Sequence, residues 1–351
     1  MDHTGPIIFD GHNDVLARLA AAGRSSAAET FASGPGHIDL ARSRIGGFGG
    51  GFFAVWVASP GGGTIDFDAM SRPRYSVPLP PPVPQPDALE ATMRQVSILT
   101  ALQEAGAVRI CRTAAAIEET LGTDQLAAVF HIEGAEAIDR DLTVLDVLYE
   151  AGLRSLGPVW SRPNRFGHGV PFRFPSSPDT GPGLTEDGLR LVDRCLALGI
   201  MVDVSHLTEA GFWDIAKRTT KPIVATHSNA HVLTAAARNL TDKQLAAIAE
   251  TGGVVGLNFA SAFLREDGKM DGDVPLPVML RHIDHLLGIL GEDGVALGSD
   301  YDGALVPREV DGVQRLPALR KAMRAAGYDE PLIAKLCHRN WVNLLRRTWG
   351  E

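Results

Sequence analysis

Short runs of apolar and β-branched residues, each bounded by Gly, Pro, Asn or Asp, recur along the whole chain: PIIFD, GGFFAVWVAS, AAVFHIEG, LRSLGPVW, GIMVDVSH, PIVATHS, GGVVGLNF and GVALGSD. Runs of this length and make-up predict β-strands buried on both faces. Between most of them the apolar positions change to helical spacing, as in DALEATMRQVSILTALQEA, LTVLDVLYEAG, LTEDGLRLVDRCLALG, LTDKQLAAIAETGG and LPVMLRHIDHLLGILG. Two of these segments open on Thr185 and Thr241 and close on Gly199 and Gly252, the residue types that cap helix starts and ends. Strand and helix alternating to the end predict an α/β fold, a closed parallel (β/α)8 TIM barrel, although an open doubly wound sheet fits the same alternation.

Two Gly/Pro-rich stretches break the rhythm, near residues 59–88 and 161–183. Both follow predicted strands, and βα loops lie on the face of a barrel where active sites are built, which places them to cover a pocket, while the first reads equally as a Pro-stiffened surface excursion. No internal repeat or second domain stands out, and a single barrel domain over residues 1–351 is expected.

Composition narrows the function classes. A hydrophobic fraction of 45% describes a globular chain with material for a large core. The formal charge of -9, with no basic stripe, argues against nucleic acid as a partner. The opening PIIF is too short for a signal segment and no run is long enough to span a bilayer, so a cytoplasmic protein with no membrane partner is expected. Cys111, Cys195 and Cys337 are widely spaced and read as small buried apolar residues rather than a disulfide framework.

The polar residues at the strand ends carry the chemistry. His12 and Asp14 in DGHND are two apart and are expected to share a face at the end of the first strand, where imidazole and carboxylate are both zinc ligands; DGHND alone also reads as turn chemistry. The third strand ends at Glu133, the fifth at His206, the sixth at His227 and the eighth at Asp300. On a barrel these residues converge on one rim, and such a set is unlike core packing because unpaired ionisable groups are expensive to bury. Two divalent cations, offset by Asp14, Glu133 and a bound hydroxide, leave a slightly positive centre able to polarise a carbonyl and bring water to a pKa of about 7. Asp300 then has a role as proton acceptor from water and donor to a leaving amine.

These residues, with FDGHNDVLARL, HIEGAEAI, GLTEDGLRLVDRCLALGIMVDVSHLTEAGFWD, PIVATHSNAHVLTAAARNLTD, HIDHLLGILGEDGVALGSDYDG and NWVNLLRR, resemble the membrane (renal) dipeptidase family over nearly the whole chain. The resemblance implies an amidohydrolase-like barrel with two Zn2+ per chain: His12 and Asp14 on one ion, His206 and His227 on the other, Glu133 bridging both and sharing in catalysis with Asp300. It implies hydrolysis of dipeptides with tolerance of a D-residue at the C-terminal position, a homodimer, and Arg238 as the residue that clamps the substrate carboxylate. Where mammalian members carry a substrate-contacting histidine after the fourth strand, this chain has Trp160, and Asn164 or His168 from the same loop is the candidate replacement donor. His131, on the face of Glu133, either tunes that carboxylate or fills the barrel. His282 and His285 fall on a helix outside the barrel and are expected to be solvated or in a cap-like contact; His231 is a candidate neighbour of a ligand, and Asp302 a turn former. GFGGG precedes a strand and is no phosphate loop. The runner-up activities are deamination or lactone hydrolysis on the same metals, and a non-catalytic binding barrel would need a missing ligand.

Overall fold

All eight predicted runs fold as parallel strands in the computed structural model, which describes residues 5–59 and 66–350. They are β1 (Ile8–Asn13), β2 (Phe48–Trp56), β3 (Leu126–Glu133), β4 (Leu153–Gly157), β5 (Met201–Val202), β6 (Val224–Ala225), β7 (Val254–Asn258) and β8 (Val295–Gly298). β1 to β5 form one run of ladders and β6 to β8 another. Parallel bridges Asp203↔Val224 and Asn13↔Tyr301 join the two runs at both seams, so the sheet closes on itself and the open doubly wound alternative is excluded. A short strand, Val108–Ile110, adds to the start of β3.

Period two on the strands sorts the core into layers. On β3, Ala128, Phe130 and Ile132 face the helices, whereas Ala127 and Val129 join an inner cluster with Phe9, Phe52, Met201, Val224, Val254 and Ala296. Trp341, from the terminal helix Asn340–Trp349, plugs this cluster from the N-terminal end of the strands and donates its Nε1–H to the Leu297 carbonyl at 2.9 Å. A Cβ at Gly11 or Gly256 would run into the Trp341 ring and the Thr226 carbonyl. The plug therefore requires glycine on the strands around it.

Where the ladder is interrupted at the two seams, buried carboxylates take its place. Asp10 accepts from Ser299 N and Ser299 Oγ, both at 2.6 Å, tying β1 to β8. Asp203 accepts from Ser205 N at 3.0 Å, Thr226 N at 2.9 Å and Thr226 Oγ1 at 2.5 Å, tying β5 to β6. Backbone donors that would be orphaned by the broken ladder are thereby satisfied. Burial pushes the Asp10 carboxyl up to about 7 in spite of the two Ser299 hydrogen bonds.

The helices begin and end as their caps predict. Thr185 caps Glu186–Leu198, which closes on left-handed Gly199, and Thr241 forms a reciprocal capping box with Gln244 at the start of Asp242–Glu250. The two Gly/Pro-rich excursions pair with each other above the barrel: Tyr75–Ser76 and Arg173–Phe174 form a two-stranded antiparallel ribbon, and Met270 N donates to Met70 O at 3.0 Å. Residues 60–65 of the first excursion lie outside the described residues. The three cysteines are free and buried, and burial pushes the Cys195 and Cys337 thiols up to about 12. Among the described residues no helix is long and apolar enough to cross a membrane.

Candidate metal centre

The strand-end residues meet at the C-terminal mouth of the barrel. Glu133 is the last residue of β3, on the inward face set by Ala127 and Val129. His12 lies near the end of β1, where the register to β2 slips between Asp10 and Asn13, and Asp14 has left the strand for the position before the helix Val15–Ala20, with no capping bond from its side chain. Plain strand parity therefore does not account for the His12–Asp14 pair; an irregular strand end does. His206, His227 and Asp300 follow the last residues of β5, β6 and β8. His206 (φ 68°), Asp300 (φ 60°) and Asp302 (φ 67°) are three of the four non-glycine residues with positive φ among the described residues, and all three line the cleft. Left-handed backbone is unfavourable for such residues and is retained where it aims a functional side chain.

Glu133 Oε1 lies 2.9 Å from His206 Nε2, 3.3 Å from His227 Nε2 and 3.7 Å from His12 Nε2. His12 Nε2 is 3.4 Å from Asp14 Oδ2, and the His206 and His227 Nε2 atoms are 3.2 Å apart. The outer nitrogens of these two rings are engaged elsewhere, His206 Nδ1 with Ser161 Oγ at 2.9 Å and His227 Nδ1 with Thr226 Oγ1 at 2.8 Å. Both rings thus turn Nε2 towards the carboxylate. Both nitrogens of His12 and Oε1 of Glu133 are buried with no hydrogen-bond partner.

The electrostatics are those of a cation site. Burial opposes the charged form of His12, yet Glu133, Asp14 and Asp300 outweigh it and hold the imidazole up at about 10. Burial, with Arg238 and His12 adding to it, keeps His206 and His227 well below the ordinary histidine range, so they are neutral and able to ligate. Burial likewise raises the Glu133 and Asp300 carboxyls, with Asp14 adding to both and His12 opposing. Ligand atoms on a tetrahedral zinc with bonds of about 2.0–2.2 Å stand roughly 3.3 Å apart. The clustered spacings and the unpartnered His12 and Glu133 atoms fit a metal held by these residues. The described residues also gather His12, Glu133 and His227, and His12, Asp14 and Asp300, closely enough for each trio to share an ion.

Around the centre, Asp300 accepts from Asn258 Nδ2 at 3.0 Å. Arg238 is buried, donating from one terminal nitrogen to Ser228 Oγ at 2.9 Å and from the other to His227 O at 2.8 Å, with its Nε unpartnered. Asp14, Glu133, His206 and Asp300 form the polar part of a cleft whose walls are Trp56, Phe67, Met70, Trp160, Phe172, Phe263 and Met270. Trp160 stands edge-on to Trp56, with ring centroids 5.2 Å apart, and 6.1 Å from the His206 ring.

Asn164 and His168 do not line this cleft, and Arg238 lies behind its lining residues rather than among them. Asn164 spends its side chain on its own loop, accepting from Phe166 N at 2.8 Å and Gly167 N at 3.2 Å and donating to Pro158 O at 2.8 Å. The His168 ring faces the Gly183 carbonyl at 3.3 Å. His131 fills the barrel beneath the centre: its Nδ1 meets Ser155 Oγ at 2.8 Å, it packs edge-on against His12, and burial pushes it down to about 3. His231 ties a loop through Ser176 O at 2.9 Å rather than supporting a ligand. His282, expected to be solvated or in a cap-like contact, is buried: Ala230 N donates to its Nδ1 at 3.3 Å and its Nε2 faces Leu264 O at 3.1 Å, while His285 pairs with Asp242. Asp302 takes the turn conformation and also holds Arg18 at 2.9 Å.

Several contributing residues were not apparent beforehand. Asn258 ends β7 as Glu133 ends β3, a positional signal that an uncharged side chain concealed. Thr226, Asp203 and Ser161 support the ligands only through folding. Arg162 and Glu136 form a fully buried ion pair at 2.9 Å, and Arg162 also donates to Ser59 Oγ at 3.0 Å and Val57 O at 2.9 Å, anchoring the loop that carries Trp160 and Ser161.

Comparison with known proteins places the whole chain in one family. The family model described as Membrane dipeptidase (Peptidase family M19) matches residues 3–349. A metallopeptidase from Rhodobacter sphaeroides, solved with a phosphinate mimic of the dipeptide L-Ala-D-Ala, is 50% identical with a TM-score of 0.96 over 98% of this chain and 100% of its own. A structure described as the dipeptidase AC, a family M19 metallopeptidase, is 50% identical with a TM-score of 0.95 over 99% of each chain. An uncharacterised protein from the pqqA 5′ region of Klebsiella pneumoniae is 50% identical over 76% of this chain and 98% of its own length. The chain belongs to the membrane dipeptidase family of metallopeptidases.

Proposed function

We propose that this protein is a dinuclear zinc dipeptidase, with His12 and Asp14 holding one ion, His206 and His227 the other, and Glu133 shared between them. The observation that carries the reading is the meeting of three imidazole Nε2 atoms on Glu133 Oε1, which has no hydrogen-bond donor of its own. Neutral imidazole and carboxylate are the donor set that suits zinc. When bound, the zinc pair supplies Lewis acidity, polarising the scissile carbonyl and making water a nucleophile near neutral pH.

The chain's own groups do the rest. Asp300, oriented by Asn258, takes the proton from water and delivers it to the leaving amine. Arg238 binds the substrate's terminal carboxylate, which limits substrates to those with a free C-terminus one residue beyond the scissile bond. Trp160 and the other aromatic walls exclude bulk water and strengthen the charges within. The L-Ala-D-Ala mimic in the Rhodobacter sphaeroides relative supports a dipeptide substrate with a D-residue accepted at its C-terminal position. The family resemblance also supports a homodimer, and the three free, buried cysteines fit a reducing compartment such as the cytoplasm.

Metal analysis of the purified protein is expected to return close to two zinc per chain, with a chelator abolishing turnover of a panel of L,L- and L,D-dipeptides. Hydrolysis of no dipeptide by zinc-loaded protein rejects the activity. A single ion per chain rejects the dinuclear assignment, and sedimentation as a monomer the dimer.

A further inference from the structure

We infer that Asp203 and Thr226 are positioning residues that fix the tautomer of His227, acting from the buried seam between β5 and β6; the inference rests on the metal-ligand role proposed for His227. Thr226 has one hydroxyl proton and two neighbours for it: Asp203 Oδ2 at 2.5 Å and His227 Nδ1 at 2.8 Å. Asp203 is surrounded by donors, with Ser205 N and Thr226 N on Oδ1, and a carboxylate of this kind only accepts. The Thr226 proton therefore points to Asp203. Its oxygen can then only accept from His227, so Nδ1 carries the imidazole proton and Nε2 keeps its lone pair free for a metal beside Glu133 Oε1, 3.3 Å away. The chain from carboxylate to hydroxyl to imidazole does through one extra residue what a carboxylate bonded directly to a ligand histidine does in other metal sites.

The direction of these bonds makes the inference sharper than a claim that Asp203 holds the seam together. In an Asp203→Asn variant the amide oxygen must face the two backbone donors on the Oδ1 side, leaving the NH2 group opposite Thr226 Oγ1. The amide then donates to the hydroxyl, the hydroxyl proton swings to His227 Nδ1, and the proton of the ring moves to Nε2, where it blocks ligation. Thr226→Val removes the hydroxyl but keeps its backbone N–H on Asp203 Oδ1, so the seam persists without tautomer control.

Zinc affinity measured by chelator competition, together with 15N spectra of the histidine rings in the metal-free protein, tests this. Expected are an Nδ1–H tautomer for His227 in the wild type, affinity about 10–100-fold weaker in Thr226→Val, near-recovery in Thr226→Ser, and a loss larger than that of Thr226→Val in Asp203→Asn. An Nε2–H tautomer in the wild type, or wild-type affinity in Thr226→Val, overturns the inference. Should Asp203→Asn fail to fold, the valine and serine variants decide alone. Zinc content and dipeptide turnover of the wild type are read separately, so a failure of the proposed activity leaves this outcome distinguishable.

Discussion

The two ends of the barrel obey opposite rules. At the N-terminal end, Trp341 is fully buried among Phe9, Phe52 and Val254, its one polar atom bonded to Leu297 O, and glycines make room for its ring. At the C-terminal mouth, the same barrel buries His12, Glu133 and Arg238 with unpartnered polar atoms and holds His206 and Asp300 in left-handed backbone. One end is arranged for stability; the other gives stability up for a metal. Substitutions at the two ends should therefore move stability and activity independently.

Glu133→Gln separates them most widely. Loss of the shared carboxylate is expected to lower kcat/KM by on the order of 10³-fold or more, since it removes the centre's several kcal/mol of charge stabilisation. Yet the metal-free variant should differ little from metal-free wild type in its resistance to denaturant, because the relief of a carboxyl strained upward by burial is offset by the loss of the charge that holds His12 protonated. A variant that is both less stable without metal and fully active breaks the comparison. Trp341→Ala is the reverse: a loss of about 3–5 kcal/mol in unfolding free energy, with zinc per folded chain unchanged. A drop in zinc stoichiometry before unfolding would show the plug and the mouth to be coupled.

A smaller effect separates the ligand histidines from one that is buried for structure alone. His282 titrates near 6.5 when unfolded and at about 4 when folded, so the unfolded chain binds the extra proton between those values. Stability therefore falls as pH drops through 6.5 and continues to fall to about 4, by roughly 3 kcal/mol at most. Denaturation curves of His282→Gln should lack this part of the slope, and an unchanged slope would remove His282 as its source. The smallest expected effect lies at Arg238. Arg238→Ala should raise KM for dipeptides by about 10–100-fold, the value of a charge-assisted pair, and should leave amides without a terminal carboxylate little changed. Equal effects on both substrates would dissociate Arg238 from the carboxylate.

Much of this was legible from the order of residues. Parallel strands covered on both faces read as continuous apolar runs, which is why PIIFD and GVALGSD stand out as strands despite their brevity. The candidate ligands stood out because imidazole and carboxylate at the ends of several strands have no reason to be in a core. Asn164 and His168 were misplaced because sequence locates a loop but not the direction of its side chains: Asn164 turned inward on Phe166 N and Gly167 N instead of towards the cleft. His282 was misplaced because a helix outside the strands still has a buried face, and that histidine lies on it.

The order of residues was enough to set the strand–helix alternation and the acidic and imidazole groups at the strand ends, since these depend on local periodicity and on the cost of burying charge, whereas closure into a barrel rests on the bridges at the two seams. Tertiary structure alone decided the slip in β1 that joins His12 to Asp14, the left-handed turns at His206 and Asp300, and the placing of Asp203 against Thr226. Those features arise where the barrel closes, from contacts between residues far apart in the chain, and no local pattern encodes the direction of a proton between them.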